Sequence, residues 1–176
     1  SGLSGDAFNS CQAIEGQKAG NAALVRTSYM NQVNDTLTPL LAAQTDLLAM
    51  QSAEQLLVNR TSELNNCQIG RGTAGREEII AALAFEQKNL DDATIGLRNI
   101  EQATVPLTNA RAALMNATTI NPAELADLVS NIYRYFNKQQ AEAYAVQAKA
   151  QHDAVTARSI KRLPELQTLL QKCISS

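Results

Sequence analysis

The sequence predicts an all-α protein, an antiparallel up-down-up-down bundle of four long helices with a short C-terminal helix, and three observations point to it. Apolar residues recur at alternating steps of three and four along most of the chain, the spacing that puts them on one helical face. Aromatic residues make up only 4% and Trp is absent, whereas sandwiches and barrels want Val, Ile, Tyr and Phe in their strands. With 8 Gly and 4 Pro in 176 residues, turn signals are too sparse for short strands, which need one roughly every 8–12 residues. A chain of this length is one ordinary domain and buries roughly 70% of the surface its unfolded form exposes.

Residues 1–5 read as a flexible N-terminus. A first helix over about residues 6–36 follows from Phe8, Cys11, Ala22, Val25, Tyr29 and Val33, weakened by Gly16 and Gly20. Thr38-Pro39 supplies a start signal for a second helix, in which Leu40 and Leu47, and Met50, Leu57 and Leu64, recur at heptad spacing. The third helix has the clearest register: Ile79, Leu83, Leu90, Ala93, Leu97, Ile100 and Leu107, with Glu86 and Thr104 in two of the expected apolar places. Pro106 should kink or interrupt it, because proline lacks an amide hydrogen and crowds the preceding turn.

Asn121, Pro122 and Glu124 form an N-cap, a first-turn proline and a capping-box carboxylate, so a fourth helix should begin there. Its stripe reads Leu125, Val129, Ile132, Phe136, Ala143, Val146 and Ala150, with Gln139 as a polar member, until Pro164 forces a break before a short terminal helix over 164–176. Helices of about 30–40 residues span on the order of 45–60 Å. Short connections at residues 34–39, 67–75 and 117–121 make successive helices antiparallel neighbours. The alternative is three long helices in which the prolines only bend continuous rods.

In the four-helix topology Cys11, Cys67 and Cys173 gather at one end. A Cys11–Cys67 disulfide is then the preferred pairing, with Cys11–Cys173 as the alternative, and the third thiol is left free or bridges two chains. Three N-x-Thr sequons, at Asn34, Asn59 and Asn116, are candidate glycosylation sites. Together these predict a secreted or extracellular protein, with a bacterial periplasm as the alternative. The chain opens with Ser-Gly and without Met, which is expected of a sequence whose targeting segment has been removed. No apolar run reaches the ~18 residues of a spanning helix, so no membrane insertion is expected. A net charge of −2 with no extended basic run predicts no nucleic-acid binding.

Gly70-Arg-Gly72-Thr-Ala-Gly75 matches a dinucleotide fingerprint in its letters. That mechanism needs a preceding strand, so that the loop crosses a sheet edge before the helix begins. Here the preceding residues are helical in pattern. The glycines read instead as a helix-to-helix turn, with Gly70 in the left-handed conformation and Glu77 and Glu78 in the first turn of the next helix.

The single histidine, His152, stands among Ala, Gln and Lys and reads as a solvated surface residue. Asp153 beside it points about 100° away and forms no oriented pair. Neither C-x-x-C nor Glu-x-x-His occurs, so no metal, cofactor or catalytic site is expected. Glu86 in the seam calls for a polar partner such as Gln139, or marks where the seam opens. Tyr133, Arg134 and Tyr135 form the candidate interaction patch, in a segment holding three of the seven aromatics.

The expected function is that of a non-enzymatic protein acting through a protein partner, as a surface, salivary-type or effector protein. The alternatives are a carrier of a small apolar ligand between helices, for which the seam alanines leave room, and an extracytoplasmic sensor or adhesion domain of a membrane protein. A homodimer through an unpaired cysteine is a further partner expectation.

Overall fold

The computed structural model describes residues 5–70, 76–116 and 138–176, together with 123, 124, 126, 127 and 130, and their side chains from residue 23 onward. The described residues contain no strand. They form three long helices: α1 (Gly5–Ile69), α2 (Arg76–Asn116) and α3 (Lys138–Ser175). The described residues are helical almost throughout, and the layout of three long helices fits them. The sequence-predicted turn at residues 34–39 is not formed, because α1 runs through Pro39. The predicted start at Asn121 and Pro122 lies outside the described residues.

The reason α1 continues is visible in its buried positions. Val33, Thr36, Leu40, Ala43, Leu47, Met50, Glu54, Leu57, Thr61 and Leu64 are all buried and follow one another at strict alternating steps of three and four. The phase does not change at Pro39, so the buried residues before and after it follow one helical register of α1. Proline costs a helix interior ~3 kcal/mol. Full burial of a leucine returns about 1.5–3 kcal/mol, and Leu37 and Leu40 flank this proline with almost no exposed surface. Pro106 and Pro164 lie inside α2 and α3 in the same way. The separate terminal helix expected over 164–176 is therefore the last part of α3, held in register by buried Leu166 and Cys173.

In α2 the register read from sequence holds. Ile79, Glu86, Leu90, Ala93, Ile100, Thr104 and Leu107 are buried, with Leu83 and Leu97 partly so. In α3 it does not. Ala143, Val146 and Ala150 are exposed, and the buried face is Ala141, Ala148, Val155 and Leu166. Alanines stand on both faces of this stretch, so small apolar residues alone did not fix the phase; the larger Val155 and Leu166 do.

Two compact units divide the chain, Ser1–Thr38 with Ala103–Ala141 and Pro39–Gln102 with Glu142–Ser176. In the first, Val33, Leu37, Ala103, Leu107, Ala110, Leu114 and Ala141 are the buried apolar residues described. The second holds the candidate site, and in it α1 and α3 run parallel with α2 antiparallel to both. Two apolar clusters fill its seam. One is built on Ala43, Leu47, Met50, Ala93, Ile100, Ala148 and Val155. The other is built on Leu57, Leu64, Ile79, Leu166 and Cys173. A cross-helix hydrogen bond supports the first: Gln51 Nε2 donates to Thr94 Oγ1 at 3.0 Å, and that hydroxyl donates to the Leu90 carbonyl at 2.9 Å.

Gly70 ends α1 without the left-handed conformation expected of it. Its amide donates to the Asn66 carbonyl at 3.4 Å, which extends the helical pattern by one residue. Residues 71–75 lie outside the described ones.

Candidate functional site

Between the two apolar clusters, at one level of the second unit, each helix contributes one charged side chain to the seam. The heptad series Leu40, Leu47 leads on α1 to Glu54, whose side chain has 0% exposure. The α2 seam supplies Glu86, 6% exposed. From the edge of the α3 seam Arg158, 27% exposed, reaches in between them.

Arg158 divides its donors unequally. Its Nε donates to Glu86 Oε1 at 3.2 Å and its Nη2 to Glu86 Oε2 at 3.0 Å, a bidentate arrangement that fits the planar guanidinium. Nη2 also donates to Glu54 Oε1. The second oxygen of Glu54, Oε2, is buried without a protein hydrogen-bond partner. On the outer side, the Arg158 guanidinium carbon sits 5.1 Å from the centre of the Phe85 ring, within cation–π range.

Two largely buried carboxylates facing one guanidinium cannot both ionise cheaply. Burial first, and then the neighbouring Glu86 carboxyl, push Glu54 up from 4.5 to about 7, against the opposing pull of Arg158. Arg158 loses some basicity to burial, but its bonds to Glu86 and Glu54 outweigh this and raise it further. The arrangement can therefore hold a proton on a buried carboxyl near neutral pH. Of this set the sequence singled out Glu86 alone, and its partner is Arg158, while Gln139 is exposed. Continuing the Leu40–Leu47 series by one heptad would have found Glu54. Arg158 carried no seam signal, because it reaches the layer from a flanking position.

The disulfide joins Cys67 to Cys173, with Cα atoms 6.3 Å apart, within the reach of such a bond. This corrects the Cys11–Cys67 pairing and its Cys11–Cys173 alternative. Cys11 and Cys67 belong to the same helix α1, and without a reversal at residues 34–39 nothing folds one back beside the other. The side chain of Cys11 lies outside the described set.

Asn34 and Asn59 lie within α1 and Asn116 ends α2, so Asn34 is not beside a turn as its sequence context suggested. The Asn59 side chain is exposed and accepts a hydrogen bond from Gln55 Nε2 at 3.0 Å, while Thr61 of the same sequon is buried. Tyr133, Arg134 and Tyr135 fall outside the described residues. His152 is less solvated than its sequence neighbours suggested: its side chain is 30% exposed and Nδ1 lies 3.6 Å from Asp46 Oδ1.

A small recess of about 80 Å³ opens between the helices at Leu47, Gly96, Tyr144, Gln147, Ala148 and Gln151. Among the described residues no helix is long and apolar enough to cross a membrane, and no group of three or more His, Cys, Asp or Glu could hold a metal ion. No family model matches the chain, and no curated protein or solved structure shows significant similarity to it.

Proposed function

We propose that this is a secreted or extracellular protein that works by binding a protein partner through the outer faces of its helices, without a catalytic step. The observation that carries the reading is the regular placement of large apolar side chains outside a seam that is already filled. Leu41 and Leu48 are exposed on α1 one heptad apart, and Val146, Ile160 and Ile174 are exposed on α3 at two-heptad intervals. Each set lies along one face of its helix. Exposed apolar residues scattered singly need no explanation; what supports a contact surface is their alignment on one face, with exposed Asp153 and Gln167 between those of α3 giving it a polar component. Tyr133, Arg134 and Tyr135 belong to the same proposal, as anchor residues of the kind that dominate interfaces.

The Cys67–Cys173 bond supports the compartment, since disulfides persist in oxidising surroundings. A bacterial periplasm satisfies that argument equally. The second reading, a carrier of a small apolar ligand, draws on the recess beside Gly96. At about 80 Å³ that recess is several-fold smaller than the ~300–1,000 Å³ of ordinary ligand pockets, which favours the surface.

The test is equilibrium binding of the disulfide-intact protein to a panel of extracellular proteins, beside L41Q/L48Q and V146Q/I160Q. The reading expects saturable binding that at least one stripe variant weakens ten-fold or more, roughly 1.4 kcal/mol, with helicity unchanged. Binding that both variants leave unaltered contradicts it.

A further inference from the structure

The Glu54–Arg158–Glu86 layer contains one more carboxyl than guanidinium, and its position leaves that surplus charge little to lean on. The Leu47/Ile100 cluster lies on one side and the Leu57/Leu166 cluster on the other. Glu86 receives two hydrogen bonds from Arg158, while Glu54 receives one and leaves Oε2 buried without a partner. The neutral state of the layer is therefore an Arg158–Glu86 ion pair beside an uncharged Glu54.

We propose that this layer is a one-proton latch: with Glu54 protonated it closes the seam, and loss of that proton leaves two carboxylates on one guanidinium and loosens α2 from α1 and α3.

The charged groups facing Glu54 are Glu86 from α2 and Arg158 from α3. Other charges near this level are engaged on the outside of their own helices: Arg60 with Glu63 on α1, Lys88 with Asp92 on α2, and Lys149 with Asp153 and Arg162 with Glu165 on α3. Asp91 accepts from Gln87 on the outer face of α2, and Lys161 is exposed on α3. His152 and Asp46 meet at the level of the Leu47 cluster. They are a second titratable pair that bridges α1 and α3, and a control variant must separate them.

Burial holds the Glu54 carboxyl at about 7 when folded, above its ordinary 4.5. Between those values the folded chain keeps a proton that the unfolded chain has lost. The stability contributed by the protonated group is therefore fully present below about 4.5 and is lost as pH rises through about 7. The disulfide ties α1 to α3 beyond Glu54 and Arg158 and leaves α2 untied, so α2 is the helix free to yield.

The experiment is denaturant unfolding of the full, disulfide-intact chain between pH 5 and pH 8, as wild type, E54Q and H152Q. For wild type the unfolding constant should rise close to ten-fold per pH unit in mid-window, the slope for about one proton. E54Q should be nearly flat, and H152Q should follow wild type. Equal slopes for E54Q and wild type, or a flat H152Q, overturn the latch. Should E54Q fail to fold, carbon-13 NMR of the wild-type glutamate carboxyls decides: a buried carboxyl titrating near neutrality is expected, and one confined to the ordinary carboxylate range overturns the proposal. Hydrogen exchange, corrected for intrinsic pH effects, should show residues 79–93 of α2 losing protection at pH 8 ahead of α1 and α3. A uniform loss overturns the assignment to α2.

Discussion

Arg158 is shared between two carboxylates, and removing it differs in kind from removing the whole layer. Arg158→Met strands Glu54 and Glu86 in the seam together, and breaking a buried pair in this way costs about 3–5 kcal/mol. Replacing all three charges, as E54L/E86L/R158M, removes the desolvation cost along with the attraction. The triple variant should fall within ~1 kcal/mol of wild type at pH 7 or exceed it, a contrast read by denaturant unfolding. Phe85→Ala removes only the ring against the guanidinium. Because Phe85 is 53% exposed, the loss of the cation–π contact should be about 0.5–1 kcal/mol. Sequence reasoning reached half of the carboxylate pair. Glu86 stood out because apolar residues bracket it at both seam steps, whereas Glu54 is the next heptad position after Leu40 and Leu47, where a charged residue ends the apolar series and hides its continuation. Arg158 was hidden for a different reason: a long side chain at the rim of a seam obeys no period of its own.

Within each helix, register outweighs punctuation. Pro39 follows Thr38 as a helix start often does, and local rules alone place a turn there. The unbroken phase of Val33, Thr36, Leu40 and Ala43 across it tells against a turn, and it is the phase that the structure obeys. This yields a test at the scale of the element. In a continuous helix, Pro39→Ala restores an amide and relieves crowding, so it should raise stability by about 1–3 kcal/mol with helicity kept or increased. A proline pre-set in a tight turn would instead lose stability on the same change, and a drop in melting temperature would contradict the α1 described here. The α2 stripe was readable because Ile, Leu and Ala mark both of its seam steps for four heptads. The α3 stripe was not, because between residues 141 and 150 alanine occurs on buried and exposed faces alike, and a methyl group carries too little transfer free energy to set a phase.

Across the second unit the seam is two apolar segments separated by a charged layer, with one covalent tie at its end. Cys67 and Cys173 are 106 residues apart in sequence, so their bond removes a large share of the unfolded chain's freedom. Cys173→Ser should cost about 2–5 kcal/mol on that account, measurable as a loss in denaturant midpoint under non-reducing conditions. The helical class and most seam positions of α1 and α2 followed from periodicity, which is local. The pairing of cysteines depends on which helices turn back, and one misread proline was enough to exchange Cys173 for Cys11 as the partner of Cys67. Non-reducing tryptic peptide mapping tests the resulting topology most directly, since cleavage after Lys18, Arg60, Arg71 and Lys172 places each cysteine in a separate peptide. The account predicts a species joining residues 61–71 to residues 173–176, with the Cys11 peptide outside that bond; a species joining residues 1–18 to residues 61–71 would contradict it.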